Sequence, residues 1–194
     1  MLRTLPPVAL LLFTTLAACA KPAAQTPVPV AGSSLYSDQC ITEQQVVDAQ
    51  KAWGDGIVNI GKVYSSGGDY EKAAADHINR FYGYDLSLVA FKPTLAGIEQ
   101  FRKAFDGALS YFVAGNPSYA EDQGFALKPW TKVRWANAGI VNNSCTMAVA
   151  MGNYYFTPET GDEVKVEYTI GYVKDKQGAL RMVVHHSALP YAAN

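Results

Sequence analysis

The chain has 194 residues, with 16 Lys and Arg against 17 Asp and Glu, and 49% of its residues are apolar. A net charge of −1, with no basic stripe, argues against nucleic acid as a partner. Nearly half the residues are available for a core. Twelve tyrosines add hydroxyls that need partners wherever they are buried.

Residues 1–18 read as an export signal: Arg3 gives a positive start, and the apolar run over 5–16 is too short to span a bilayer. Leu16-Ala17-Ala18-Cys19 resembles a bacterial lipoprotein box. That resemblance implies cleavage before Cys19 and lipid on its sulfur, and more than one acyl chain makes a stable anchor. Residue 20 is Ala, not the Asp associated with retention at the inner membrane. The expected location is therefore the outer membrane, facing the periplasm. Residues 19–37 are rich in Pro, Ala, Gly and Ser and read as a flexible tether. The remaining stretch, 38–194, suits one domain. With Cys19 assigned to lipid, Cys40 and Cys145 are left as a pair in a compartment that permits a disulfide, and a 40–145 bridge is expected. No C-x-x-C spacing suggests a metal site.

Thr42-Glu43-Gln44-Gln45 is a capping box, and Val46, Trp53, Ile57 and Ile60 continue at helical spacing, so a helix is expected over 42–64. Asp69 can cap a second helix ending at Phe81, with Gly83 closing it. Residues 86–91 read as a short strand before Pro93. Ile98, Phe101, Phe105, Leu109 and Phe112 share a face, which predicts a third helix over 98–113. Four strands follow, over 131–140, 145–156, 164–174 and 180–187, joined by short turns and expected to pair antiparallel. This is an α+β plan: three N-terminal helices packed on one face of a curved antiparallel sheet, forming a cone whose ligand lies between helix and sheet.

The last strand carries the most chemistry. Val183-Val184-His185-His186-Ser187-Ala188-Leu189-Pro190 places His185 and Ser187 on one face and His186 and Ala188 on the other, because side chains alternate along a strand. Two of the three histidines in the chain are here. An imidazole beside a hydroxyl at a strand end is the candidate floor of a site.

Several segments, in order, resemble one family: Phe91-Lys92-Pro93-Thr94-Leu95-Ala96, Gly107-Ala108-Leu109-Ser110-Tyr111-Phe112-Val113, Gly124 to Trp130, Ala150-Met151-Gly152-Asn153-Tyr154-Tyr155-Phe156, Val166-Glu167-Tyr168-Thr169 and His185 to Tyr191. Together they are similar to the iota class of carbonic anhydrase. The likeness implies a nuclear transport factor 2-like fold related to the association domain of calcium/calmodulin-dependent protein kinase II. It also implies reversible hydration of CO₂ to bicarbonate. Members of that family work without metal, with zinc or manganese as the alternative. Adjacent His185 and His186 cannot readily share one ion, which agrees with the metal-free form. Matching on these motifs assigns Thr94, Tyr111 and Ser187 to a hydroxyl cradle for water or bicarbonate, and His185 to proton acceptance, for which an ordinary imidazole is suited near neutrality. The family usually has a second serine where this chain has Ala188, on the opposite face from His185. Tyr155 and Glu167 are weaker pocket candidates, and Trp130 and Trp135 read as packing. A homodimer or higher homo-oligomer, formed through the outer sheet face, is expected from the fold. The rival reading is a non-catalytic association or small-ligand module, marked by bulky side chains closing the cavity and by a stacked or salt-bridged His185. A polyketide-cyclase-like isomerase would need a carboxylate dyad, and none is evident.

Overall fold

A computed structural model describes residues 39–142 and 144–192. The signal, Cys19 and the whole tether lie outside the described residues.

Helix α1, Glu43–Ser65, starts at the capping box: Thr42 Oγ1 accepts from the Gln45 N–H at 3.2 Å and Gln45 Oε1 accepts from the Thr42 N–H at 3.0 Å. Its buried stripe of Val46, Gln50, Trp53, Ile57 and Ile60 faces the core. Helix α2, Tyr70–Phe81, is capped by Asp69, whose carboxylate accepts from the Lys72 N–H at 2.9 Å. The two helices meet closely at Gly56, where an added Cβ would fall 2.2 Å from His77 Nδ1.

Gly83 does not close α2. The helix ends at Tyr82, which is already extended at φ −107° and bridges in parallel to Met182. The Gly83 N–H is held by Met182 O at 2.9 Å. The chain thus leaves the helix straight onto the sheet. The strand expected over 86–91 is shorter and shifted: β1 is Ala90–Lys92.

The third helix is also shorter than its apolar period suggests. Helix α3 is Phe105–Val113, and residues 98–104 are not helical. The cause is distant in sequence. The Glu121 carboxylate accepts from the backbone N–H groups of Gly97, Ile98 and Glu99 at 2.8 to 3.1 Å, and the Arg102 N–H bonds Phe91 O at 2.8 Å. The Arg102 N–H, which a helix starting at 98 would direct to Ile98 O, is thereby taken by Phe91, while the N–H groups of 97–99 would lack a partner inside such a helix and are met by Glu121. Ile98 and Phe101, expected on its buried face, are 82% and 62% exposed.

The sheet contains β2 (Trp130–Val141), β3 (Met147–Pro158), β4 (Val164–Lys174) and β5 (Leu180–Ala188), in the order β1-β5-β4-β3-β2. Neighbours pair antiparallel except β1 and β5, which run parallel with Phe91 opposite His185. The sheet is therefore mixed rather than wholly antiparallel. Register shifts interrupt β2 against β3 and β4 against β5, and such bulges increase local twist and bend a sheet. At one of them Gly152 lies so close to β2 that a Cβ would meet Ala136 O at 2.2 Å. The helices cover one face, and Trp53, Ile57, Ile78, Phe91, Phe112 and Phe156 fill the space between the layers. Cys40 and Cys145 are joined by a disulfide, and the Ile41 N–H bonds Cys145 O at 2.8 Å beside it.

Candidate active site

β5 is flanked by β1 and β4, so its inward side chains are enclosed on both sides. His185 and Ser187 face the helices and are each 2% exposed; His186 is exposed and Ala188 half-buried on the other face. The alternation read from sequence holds residue for residue. Thr94 follows β1 in the Lys-Pro-Thr turn, and the parallel pairing carries it to the end of β5, where Thr94 Oγ1 lies 2.9 Å from Ser187 Oγ. Tyr111 reaches in from α3. Its ring meets Phe91 edge-on at 6.0 Å and stacks on Phe125 at 5.5 Å. Burial pushes its phenol well above the ordinary tyrosine value, against a smaller pull from the Leu95 N–H and the Thr94 hydroxyl.

Tyr154, on the inward face of β3, completes the group. Its hydroxyl stands 3.5 Å from His185 Nε2. Burial raises its pKa too, opposed first by Ser187 and then by Thr94, which places those three hydroxyls together. Both phenols are therefore neutral donors at neutral pH. On the opposite side of the imidazole, Tyr82 Oη lies 2.9 Å from His185 Nδ1. The His185 ring stacks on Phe91 at 5.0 Å and on Tyr82 at 5.9 Å. Enclosed in this way, it is pushed down to a pKa of about 3, mainly by burial and secondarily by His186. It is a neutral imidazole at neutral pH.

Sequence reasoning missed Tyr154 and Tyr82. It weighed Tyr155, the neighbour on the wrong side of the strand: Arg134 lies over the Tyr155 ring at 3.8 Å, away from the cavity. The signal was available, since Tyr154 shares its face with Phe156 and with the small inward residues Ala148 and Ala150. Glu167 is exposed and pairs in register with Ala188, outside the cluster. Trp130 and Trp135 pack as expected, against Phe156 and Tyr154 respectively.

A pocket of about 280 Å³ meets the hydroxyl group at Tyr111 and is lined further by Leu95, Glu121, Asp122, Phe125 and Lys128. Among the described residues no three His, Cys, Asp or Glu side chains are grouped to hold a metal ion.

The family described as metal-independent carbonic anhydrase matches residues 44–189. The chain belongs to the metal-independent carbonic anhydrase family. A relative of that description from Nostoc sp. (strain PCC 7120) is 43% identical over 157 residues, covering 79% of this chain and 76% of the relative. Among solved structures, an iota-carbonic anhydrase from a cyanobacterium, crystallised with bicarbonate, aligns with a TM-score of 0.78 at 39% identity, over 87% of this chain and 99% of that one. The reaction of this carbonic anhydrase is the hydration of CO₂, and it needs no metal cofactor.

Proposed function

We propose that the hydration of CO₂ takes place where Thr94, Ser187, Tyr154 and Tyr111 converge, next to a neutral His185. One observation carries this reading: the half-buried Thr94 and the buried Ser187, 93 residues apart in sequence, have their hydroxyls 2.9 Å apart beside the phenol of Tyr154. Attack of a water oxygen on CO₂ forms a C–O bond, moves a π pair onto one carboxyl oxygen and releases a proton. The hydroxyl hydrogens are preorganised for the oxygen that gains charge, and no solvent has to reorient to serve it. Bicarbonate, with three oxygens in a plane, is recognised by the same donors; a relative at 39% identity has been crystallised with that ion.

His185 has a different part from the one its residue type first suggests. A ring held near pKa 3 is a poor proton acceptor at neutral pH. Here it orients the phenols on either side of it, and the released proton leaves by way of the pocket at Tyr111 to solvent and buffer. The stacking of His185 on Phe91 and Tyr82 is the mark set for a non-catalytic module, but in this chain the stack fixes the ring edge toward Tyr154.

We further infer that the protein is exported, lipidated at Cys19 and held at the outer membrane facing the periplasm. The support is the Leu-Ala-Ala-Cys box and the Pro- and Ala-rich stretch after it. Assembly as a homodimer through the outer sheet face is proposed on the same footing, from the fold.

The test is CO₂ hydration by chelator-treated protein. Activity is expected to survive chelation and to fall by ~10²–10³ in Ser187→Ala. Activity that appears only on adding zinc or manganese, or an unchanged rate in Ser187→Ala, overturns the reading.

A further inference from the structure

Behind the hydroxyl cradle runs a line of buried polar atoms with a fixed direction. Trp53 Nε1 lies 3.3 Å from Tyr82 Oη, Tyr82 Oη lies 2.9 Å from His185 Nδ1, and His185 Nε2 lies 3.5 Å from Tyr154 Oη. Beyond Tyr154 are Ser187 and Thr94. Each link comes from a different element: α1, the end of α2, β5 and β3.

An indole nitrogen can only donate. Trp53 therefore occupies the Tyr82 oxygen as an acceptor. Tyr82 is fully buried, and among the described residues His185 Nδ1 is the only acceptor its own proton meets. If Nδ1 carried a hydrogen, the Tyr82 proton would have no partner, in a wall built from Phe91, Phe112 and Tyr84. A buried donor left unpaired costs about 1–3 kcal/mol, enough to decide between two tautomers of one ring. The imidazole hydrogen then sits on Nε2, facing the Tyr154 oxygen. With that oxygen accepting from the ring, the Tyr154 hydrogen is turned outward, to the side where Ser187 and Thr94 stand.

We propose that Trp53 and Tyr82 are positioning residues for catalysis: acting in one direction, they hold His185 as its Nε2–H tautomer and so oblige Tyr154 to present its O–H to the developing bicarbonate. The proposal rests on the placement of the reaction at Tyr154, Ser187 and Thr94. In the reverse arrangement Nε2 would be bare, Tyr154 would donate to the ring, and the substrate would face a lone pair where it needs a proton. A ring tautomer set wrongly is known to be costly where an imidazole orients a reacting hydroxyl.

Nitrogen NMR of the full chain labelled with ¹⁵N-histidine tests this without relying on activity. The chain has three histidines, and His186→Gln and His77→Gln assign the other two. The expected wild-type signature for His185 is a bare Nδ1 and a protonated Nε2. Tyr82→Phe removes one hydroxyl and keeps the ring stack; the two tautomers should then mix, with kcat for CO₂ hydration lower by at least about tenfold and KM little changed. Trp53→Phe should also mix the tautomers, with Tyr82 still in place, and decides the matter if Tyr82→Phe does not fold. A protonated Nδ1 in the wild type, or a tautomer that stays fixed in the folded variants, overturns the proposal. If the wild-type tautomer is Nε2–H and mixes as expected while Ser187→Ala keeps full activity, the chain of hydrogen bonds stands and the placement of the reaction falls.

Discussion

Tyr154→Phe separates catalysis from folding at a single atom. The ring lies among Trp135 at 5.0 Å, Phe156 at 4.8 Å and Tyr168 at 5.3 Å, and Phe keeps all three contacts. The hydroxyl bonds His185 at 3.5 Å, beyond the usual range for a strong hydrogen bond. Its loss leaves the buried His185 Nε2–H without a partner and should therefore cost about 1–3 kcal/mol of stability. In the reaction the same hydroxyl is a preorganised donor to an oxygen that gains charge as the C–O bond forms. Removing one such donor lowers the rate by ~10²–10³, or about 3–4 kcal/mol of barrier. The two effects act on different quantities, the barrier in the folded enzyme and the folding equilibrium, and they are read separately. Stopped-flow CO₂ hydration gives the rate, and urea unfolding gives the stability. An activity equal to wild type would remove Tyr154 from the site. A loss of activity matched by an equal loss of stability would make the hydroxyl a structural group only.

Two other predictions concern the frame around the site. His77 and His185 are both held near pKa 3 by burial, against about 6.5 for an ordinary imidazole. The unfolded chain therefore binds more protons between those values, and stability should be whole above about pH 6.5 and fall below it by about 1.4 kcal/mol per pH unit for each ring. Urea midpoints across that window check this: His77→Gln should remove about half the slope, and a flat profile would contradict the burial of both rings. Glu121→Gln should weaken the carboxylate that gathers the N–H groups of Gly97, Ile98 and Glu99. These bonds hold the segment that follows Thr94, so kcat should fall about tenfold with little change in melting temperature; amide exchange at 97–99 that is no faster than in wild type would refute it.

What could be read in the sequence was local. The caps of α1 and α2 involve residues three apart, and both appear where their side chains predict. The facing of His185 and Ser187 needs only strand alternation, and it holds. The start of α3 could not be read this way, because the Phe91 carbonyl that takes the Arg102 N–H, and the Glu121 carboxylate that holds the N–H groups of 97–99, come near only in the folded chain. The parallel pairing of β1 with β5 is likewise a tertiary fact: three residues suffice, because the partner strand is already in place. Tyr154 was lost to Tyr155 by one step of alternation, while the depressed basicity of His185 follows from Phe91 and Tyr82, which no spacing rule connects to it.

The pairing of Thr94 with Ser187 has a consequence in time. The two residues are 93 apart in sequence, and the strand that brings them together is the most C-terminal of the described strands. Contacts that span so much chain close late, after nearer ones have formed. On the proposed placement of the reaction, a half-assembled chain, however much helix it contains, should be chemically silent until β5 docks between its two neighbours. The onset of CO₂ hydration during refolding would then report the closing of that seam.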